Sequence, residues 1–388
     1  MAKSVEALIN PDVLAWARKT ARFEVADVCA KLDIDEGRLE DWESGRDRPS
    51  IAKLRDLANL YKRPLAFFYL PEPPKKFKAL HDYRRLAGAE PGAQSPRLAL
   101  EIRLAHARRE VAIDTAVALG DLPPAPDIEL SLTDDPDSAA EKLRAFLGVT
   151  LETQFAWKTS RDAYREWRAA FERQAILVFQ TSGVPLDEVR GFSSADEAFP
   201  FVVVNGKDSP TGRIFTMFHE LAHVALRRPG LCDLHQSERG TADDRLEVFC
   251  NQIAGAALVP SAALVSQPIV GKRSGSWDDR DLRTLARRFG VSREVILRRL
   301  LTLGRTTQAF YARTREKLLQ EYAEMKSGGG PVAQHELALA RHGDRFVRLV
   351  MTAWHSDYLT LRDVSDYLNL RVKHLDPLEK ELRIRRAS

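Results

Sequence analysis

The sequence predicts a mostly α protein that becomes α+β only around its centre, and three observations carry that expectation. Apolar residues recur at spacings of three and four through most of the 388 residues. Proline and glycine clusters at Pro71–Pro74, Gly120–Pro136 and Gly328–Gly330 divide the chain. Only Ala175–Phe179 and Phe199–Val204 have the β-branched and aromatic content of strands. The expected organisation is a five-helix N-terminal domain over residues 1–74 and a helical linker region over 75–155. A central domain with a small β-sheet follows over 156–270, then a basic helical C-terminal domain over 271–388.

Composition narrows the class. No apolar run approaches the ~20 residues of a membrane span, so no membrane partner is expected. The first residues, Met1 to Glu6, lack a signal-peptide apolar region, and three cysteines (Cys29, Cys232, Cys250) are too few and too odd for a disulfide framework. A cytoplasmic protein is expected. The net charge of +4 is unevenly spread. Residues 1–74 carry −1, residues 271–388 carry +9, and the middle carries −4. A surface suited to phosphate backbones is therefore expected in the C-terminal third.

The elements follow in order. Val13, Leu14 and Ala17 mark a first helix, Glu24–Leu32 a second and Gly37–Glu43 a third, closed by Ser44-Gly45. Arg48-Pro49-Ser50 leads into Ile51–Leu60, and Leu65–Leu70 ends the bundle. Helices are expected over residues 96–119, 137–147 and 160–174, with a proline-rich acidic loop before the second. The two strands form a small sheet, and residues 199–204 are expected at its edge, where an extended substrate could pair.

The chemistry sits in Phe218-His219-Glu220-Leu221-Ala222-His223. Ile214, Phe215, Phe218, Leu221, Ala222, Ala225 and Leu226 place this run on an apolar, buried helix. Two histidines four apart lie one turn above each other, so their imidazoles can converge on one ion. Glu220 faces the same pocket and can take a proton from a metal-activated water, which is what a zinc hydrolase needs. A third protein ligand must come from elsewhere. Among Cys232, Asp233, His235, Asp243, Asp244, Glu247 and Cys250, the best choice is Glu247, on the apolar helical run Leu246–Ala254. Asn251, one turn later, can orient a ligand histidine. Asp243 and Asp244 read as first-turn charges, and Cys232 and His235 as free loop residues, the alternative being that Cys232 is a removable fourth ligand.

His219–His223 followed by Glu247–Ala254 and Leu258-Val259-Pro260 resembles the ImmA/IrrE family of metallopeptidases, over about residues 170–262. The resemblance implies a zincin-like fold with Zn2+ held by His219, His223 and Glu247 and with Glu220 as general base. It implies a protease that cleaves a partner protein, typically a helix-turn-helix repressor, in a stress, mobile-element or defence response. Residues 11–71 resemble the Xre/lambda-repressor helix-turn-helix domain, in which homodimers are common. The recognition segment is unusual for DNA contact: Asp35, Glu36, Glu40, Asp41 and Glu43 stand against Arg38 alone, a net −4.

Two further helix-turn-helix-like segments lie in the tail, at Leu282–Leu300 and, more weakly, Leu361–His374. Arg287, Arg288, Arg293, Arg298 and Arg299 make the first one basic, so these five are the candidates for DNA contact, against the alternative of a solvated helical face that completes the protease fold. The competing reading of the whole chain is a DNA-binding transcriptional regulator, or an antitoxin-like binding protein, with a non-catalytic metal site.

Overall fold

The computed structural model describes residues 6–74, 95–227, 231–232, 242–271, 275–324 and 332–387. Two compact units are defined, one of Met1–Arg85 with Ala89–His106 and one holding Leu86–Gly88 and Ala107–Ser388.

The first unit contains α1 (Pro11–Thr20), α2 (Val25–Leu32), α3 (Glu36–Ser44), α4 (Ile51–Tyr61) and a 3-10 turn at Leu65–Tyr69. Three of the four helix starts, those of α1, α3 and α4, are encoded locally. The Asn10 side chain accepts from Asp12 N, Asp35 from Gly37 N and Ser50 from Lys53 N, satisfying orphan amides of the first turns. Leu14, Ala17, Trp42, Leu54, Tyr61 and Phe68 close the core. Glu43 faces inward and binds Arg18 through two bonds of 2.8 and 2.9 Å. The helix α5 (Pro96–Leu119) contributes its residues up to His106 to this unit.

In the second unit, α6 (Pro136–Leu147), α7 (Leu151–Ala156) and α8 (Ser160–Arg173) precede a four-stranded sheet. Its strands are β1 (Leu177–Gln180), β2 (Gly191–Ser194), β3 (Phe201–Val204) and β4 (Leu231–Cys232), in the order β1-β3-β2-β4. β1 and β3 are parallel, with Val178 opposite Val202; β2 is antiparallel to both β3 and β4. β3 is therefore paired along both sides, which corrects the expectation that residues 199–204 form an edge open to an extended peptide. β2 was not expected from sequence: four residues containing Gly191 and two serines do not alternate clearly enough to read as a strand.

Helix α9 (Pro210–Ala225) lies on β2 and β3, between α8 and α10 (Ala242–Leu258). Trp167 and Phe171 of α8 pack edge-on against Phe218 of α9. The short α11 (Ser261–Val265) leads to α12 (Asp279–Phe289), α13 (Arg293–Thr302) and α14 (Gln308–Glu324). The far end of α10 is held by polar side chains from three helices. Arg144 of α6 donates to Ala257 O at 2.7 Å, Gln154 of α7 to Leu258 O at 3.0 Å, and Arg299 of α13 to Val259 O at 3.0 Å. These donors satisfy carbonyls that a helix end otherwise leaves unpaired.

The last helices, α15 (Gln334–His342), α16 (Asp344–His355), α17 (Leu361–Tyr367) and α18 (Leu375–Ala387), cover the β1 side. A buried ion pair fastens them. Arg168 meets Glu172 at 3.1 Å and donates to Leu339 O, Ala340 O and Val178 O, while Glu172 accepts from Arg345 N at 2.9 Å. Gly343, at φ +82°, leaves the space this pair needs. The protein is mostly helical with one small sheet. Among the described residues no helix is long and apolar enough to cross a membrane.

Candidate metal centre

Helix α9 is capped by Ser209, whose hydroxyl accepts from Gly212 N, and has Pro210 at the first helical position. Every residue from Thr216 to Ala225 is buried. A helix enclosed on all sides holds its side chains in single arrangements, which suits a metal site. His219 and His223 are fully enclosed, whereas the Glu247 side chain is 35% exposed, so the site opens to solvent on the α10 side.

Three donor atoms converge. His219 Nε2 lies 3.1 Å from Glu247 Oε2, His223 Nε2 lies 3.2 Å from Glu247 Oε1, and the two Nε2 atoms are 3.1 Å apart. Ligands about 2.0–2.1 Å from a tetrahedral ion are about 3.3 Å from one another, so the triangle has the size a zinc ion requires. Its two nitrogens and one carboxylate oxygen also match the ligand preference of zinc in catalytic sites. The His219 Nδ1–H donates to Asn251 Oδ1 at 3.1 Å, which fixes the tautomer and aims Nε2 at the centre.

Charge in the site follows from burial opposed by close partners. Burial would lower His223, but the Cys250 thiol and the Glu247 carboxylate beside it raise its pKa to about 10. Burial would raise Glu247, yet hydrogen bonds from both imidazoles hold its carboxyl well below the usual range. Glu220 is fully buried, and desolvation pushes its carboxyl up against the pull of the two histidines and of Ser193. The Ser193 hydroxyl donates to Glu220 Oε2 at 2.6 Å, and Oε1 has no hydrogen-bond partner among the described residues.

His219, His223, Glu247, Glu220 and Asn251 are thus brought together. Cys250 is buried beside His223 but is not one of the three converging donors. Asp233 and His235 lie outside the described residues, as do the side chains of Cys232, Asp243 and Asp244. Ser193 and Gly191 were not found from sequence; a glycine inside a strand, which marks close backbone approach, was the signal available.

The five arginines assigned to DNA do not form one surface. Arg299 is 3% exposed and binds Asp137 at 2.6 Å, Ser261 at 2.7 Å and Val259 O. A guanidinium spent on interior partners is not available to a phosphate, so the assignment of Arg299 is corrected. Arg293 is taken up by Glu321 at 2.6 Å and by Asp279. Arg298 is half-buried over Tyr311; Arg287 and Arg288 are exposed, the latter lying over Phe155.

Two imidazoles on one buried helix and a carboxylate from the next form a group that could hold one metal ion, with a second carboxylate beside them. Residues 158–301 match the Peptidase_M78 family, described as the IrrE N-terminal-like domain. This match supports the ImmA/IrrE family and, with it, a regulatory metallopeptidase. No curated protein matches the chain. Among solved structures, a Mycobacterium tuberculosis transcriptional regulator is 21% identical with a TM-score of 0.30, covering 50% of this chain and 52% of that one. The chain thus spans about half the length of that structure.

Proposed function

We propose that this protein is a zinc-dependent endopeptidase with a regulatory role, which cleaves a partner protein in the cytoplasm, a helix-turn-helix repressor being the favoured class of substrate. One observation carries the reading: the His219, His223 and Glu247 donors lie within 4.8 Å of one another, with the buried carboxylate of Glu220 on the helix that carries the two histidines. A binding protein with a structural metal site needs the three ligands but has no use for Glu220, whose burial as a carboxylate is costly.

When bound, the metal supplies Lewis acidity towards a carbonyl oxygen and acidifies a water. The chain's own residues do the rest. Asn251 keeps the His219 ring oriented. Glu220 receives the proton of the attacking water and returns it to the amine nitrogen as the peptide bond breaks. The N-terminal unit serves in this reading as a docking or dimerisation module resembling the Xre type. Asp35, which caps its α3, and Glu36 and Glu40 within that helix are exposed, which suits a basic protein surface better than a phosphate backbone.

The test is substrate trapping. Zinc is quantified in wild type and E220Q, and proteins that co-purify with E220Q are incubated with each. Both should hold zinc, and only wild type should cleave a captured partner. Equal cleavage by the two would reject the catalytic role.

A further inference from the structure

β2 brings an unassigned residue to the site. It runs antiparallel to β3 with Gly191 opposite Val204 and Ser193 opposite Val202. Residues two apart share one face of a strand, and here that face is turned to α9. A Cβ at Gly191 would collide with Thr216 Cγ2, come within 2.7 Å of Val203 O and lie 3.6 Å from Glu220 Oε1. Only a glycine lets the strand approach this closely. The approach delivers the hydroxyl of Ser193, which is fully buried, to 2.6 Å from Glu220 Oε2. The other oxygen, Oε1, is buried without a hydrogen-bond partner among the described residues.

These two facts divide the carboxylate. The terminal torsion of a glutamate is broad, so an untethered carboxylate presents either oxygen over a range of angles. A short O–H···O contact to charge removes that freedom. Resting on the metallopeptidase reading, we propose that Ser193 is a positioning residue for Glu220: it anchors Oε2, so that Oε1 is the oxygen that receives and returns the proton. The value of such an anchor lies in orientation, because proton transfer falls off steeply once donor and acceptor leave hydrogen-bonding geometry.

The test compares full-length wild type, S193A, S193T and E220Q after zinc loading. Acetohydroxamate is the probe, because its hydroxyl proton passes to a carboxylate as it binds. Wild type and S193A should hold zinc with equal affinity. By isothermal titration calorimetry, S193A should bind acetohydroxamate about tenfold more weakly, the scale of a lost hydrogen bond to a charged group. S193T should restore the affinity, and E220Q should lose most of it. Should S193A not fold, S193C keeps the volume while removing the strong donor. Equal acetohydroxamate affinity in S193A and wild type would overturn the positioning role and leave the metal site standing. Failure of wild type to hold zinc would instead overturn the metallopeptidase reading. Crystal structures of wild type and S193A then decide the anchor: a carboxylate that swings away supports it, and unchanged Glu220 torsions with no water in place of the hydroxyl overturn it.

Discussion

Zinc uptake by this site should be driven by alkali, and the size of the effect follows from the donors. The Nε2 atoms of His219 and His223 sit 3.1 Å apart and both face Glu247, so the cluster favours holding a proton and His223 is raised to about 10. A metal needs the lone pair that this proton occupies. At pH 7 the ring must therefore give up a proton with a pKa three units higher, which weakens apparent zinc affinity about a thousandfold, or about 4 kcal/mol, relative to pH 10. Between pH 6 and 8, affinity should rise about tenfold per pH unit and about one proton should leave per zinc bound. The measurement is zinc titration calorimetry against a competing chelator, in buffers of equal pH and different ionisation enthalpy. The sign can be checked in stability as well. The raised His223 contributes stability to zinc-free protein that is fully present below its ordinary value of 6.5 and is lost as pH rises through about 10. Affinity that is flat from pH 6 to 8, with no proton released, would refute the reasoning.

Three further outcomes follow from the packing. Arg299→Ala removes the donor to Val259 O and a buried aliphatic stem, and should cost about 3 kcal/mol in urea unfolding, whereas Arg287→Glu on the exposed face should change stability by less than about 0.5 kcal/mol. The reverse order would return Arg299 to the surface reading. Gly343→Ala forces a side chain to φ +82° and against Val178 O at 2.9 Å and the Arg168–Glu172 pair, so a loss of about 2–4 kcal/mol is expected; a neutral result would mean the ion pair does not fasten the last helices. Gly191→Ala should cost about 2 kcal/mol by overpacking and should also weaken acetohydroxamate binding, since β2 is pushed off α9; unchanged binding would separate the glycine from the site.

The helical parts of the site were legible because their periodicity is strong. The spacing of Ile214, Phe218, Leu221 and Ala225 places a buried helix, and four-residue spacing then puts His219 and His223 on one face whatever surrounds them. Glu247 could be chosen because its run is also apolar and its neighbour Asn251 has the right offset. The sheet was half legible. Phe201–Val204 is rich in β-branched residues because it is buried on both faces, but which strand lies at an edge is set by pairing partners far along the chain. Ser193 was hidden for the same reason: its partner is 27 residues away and the strand that carries it has four residues. Arg299 misled through composition. It lies three residues after the buried Ile296, on the inner stripe of α13, and that register carried the warning which a count of basic residues overlooked.

The three side chains gripping Ala257, Leu258 and Val259 have a practical corollary for anyone wishing to excise the portion that carries the candidate metal centre. A fragment cut at the proline-glycine region near residue 270 would keep every metal donor and lose Arg299, while a start at residue 156 would lose Arg144 and Gln154 as well. Both truncations remove donors that satisfy carbonyls at the distal end of α10, the helix that presents Glu247. The smallest autonomous version should therefore begin ahead of Pro136 and run past Thr302.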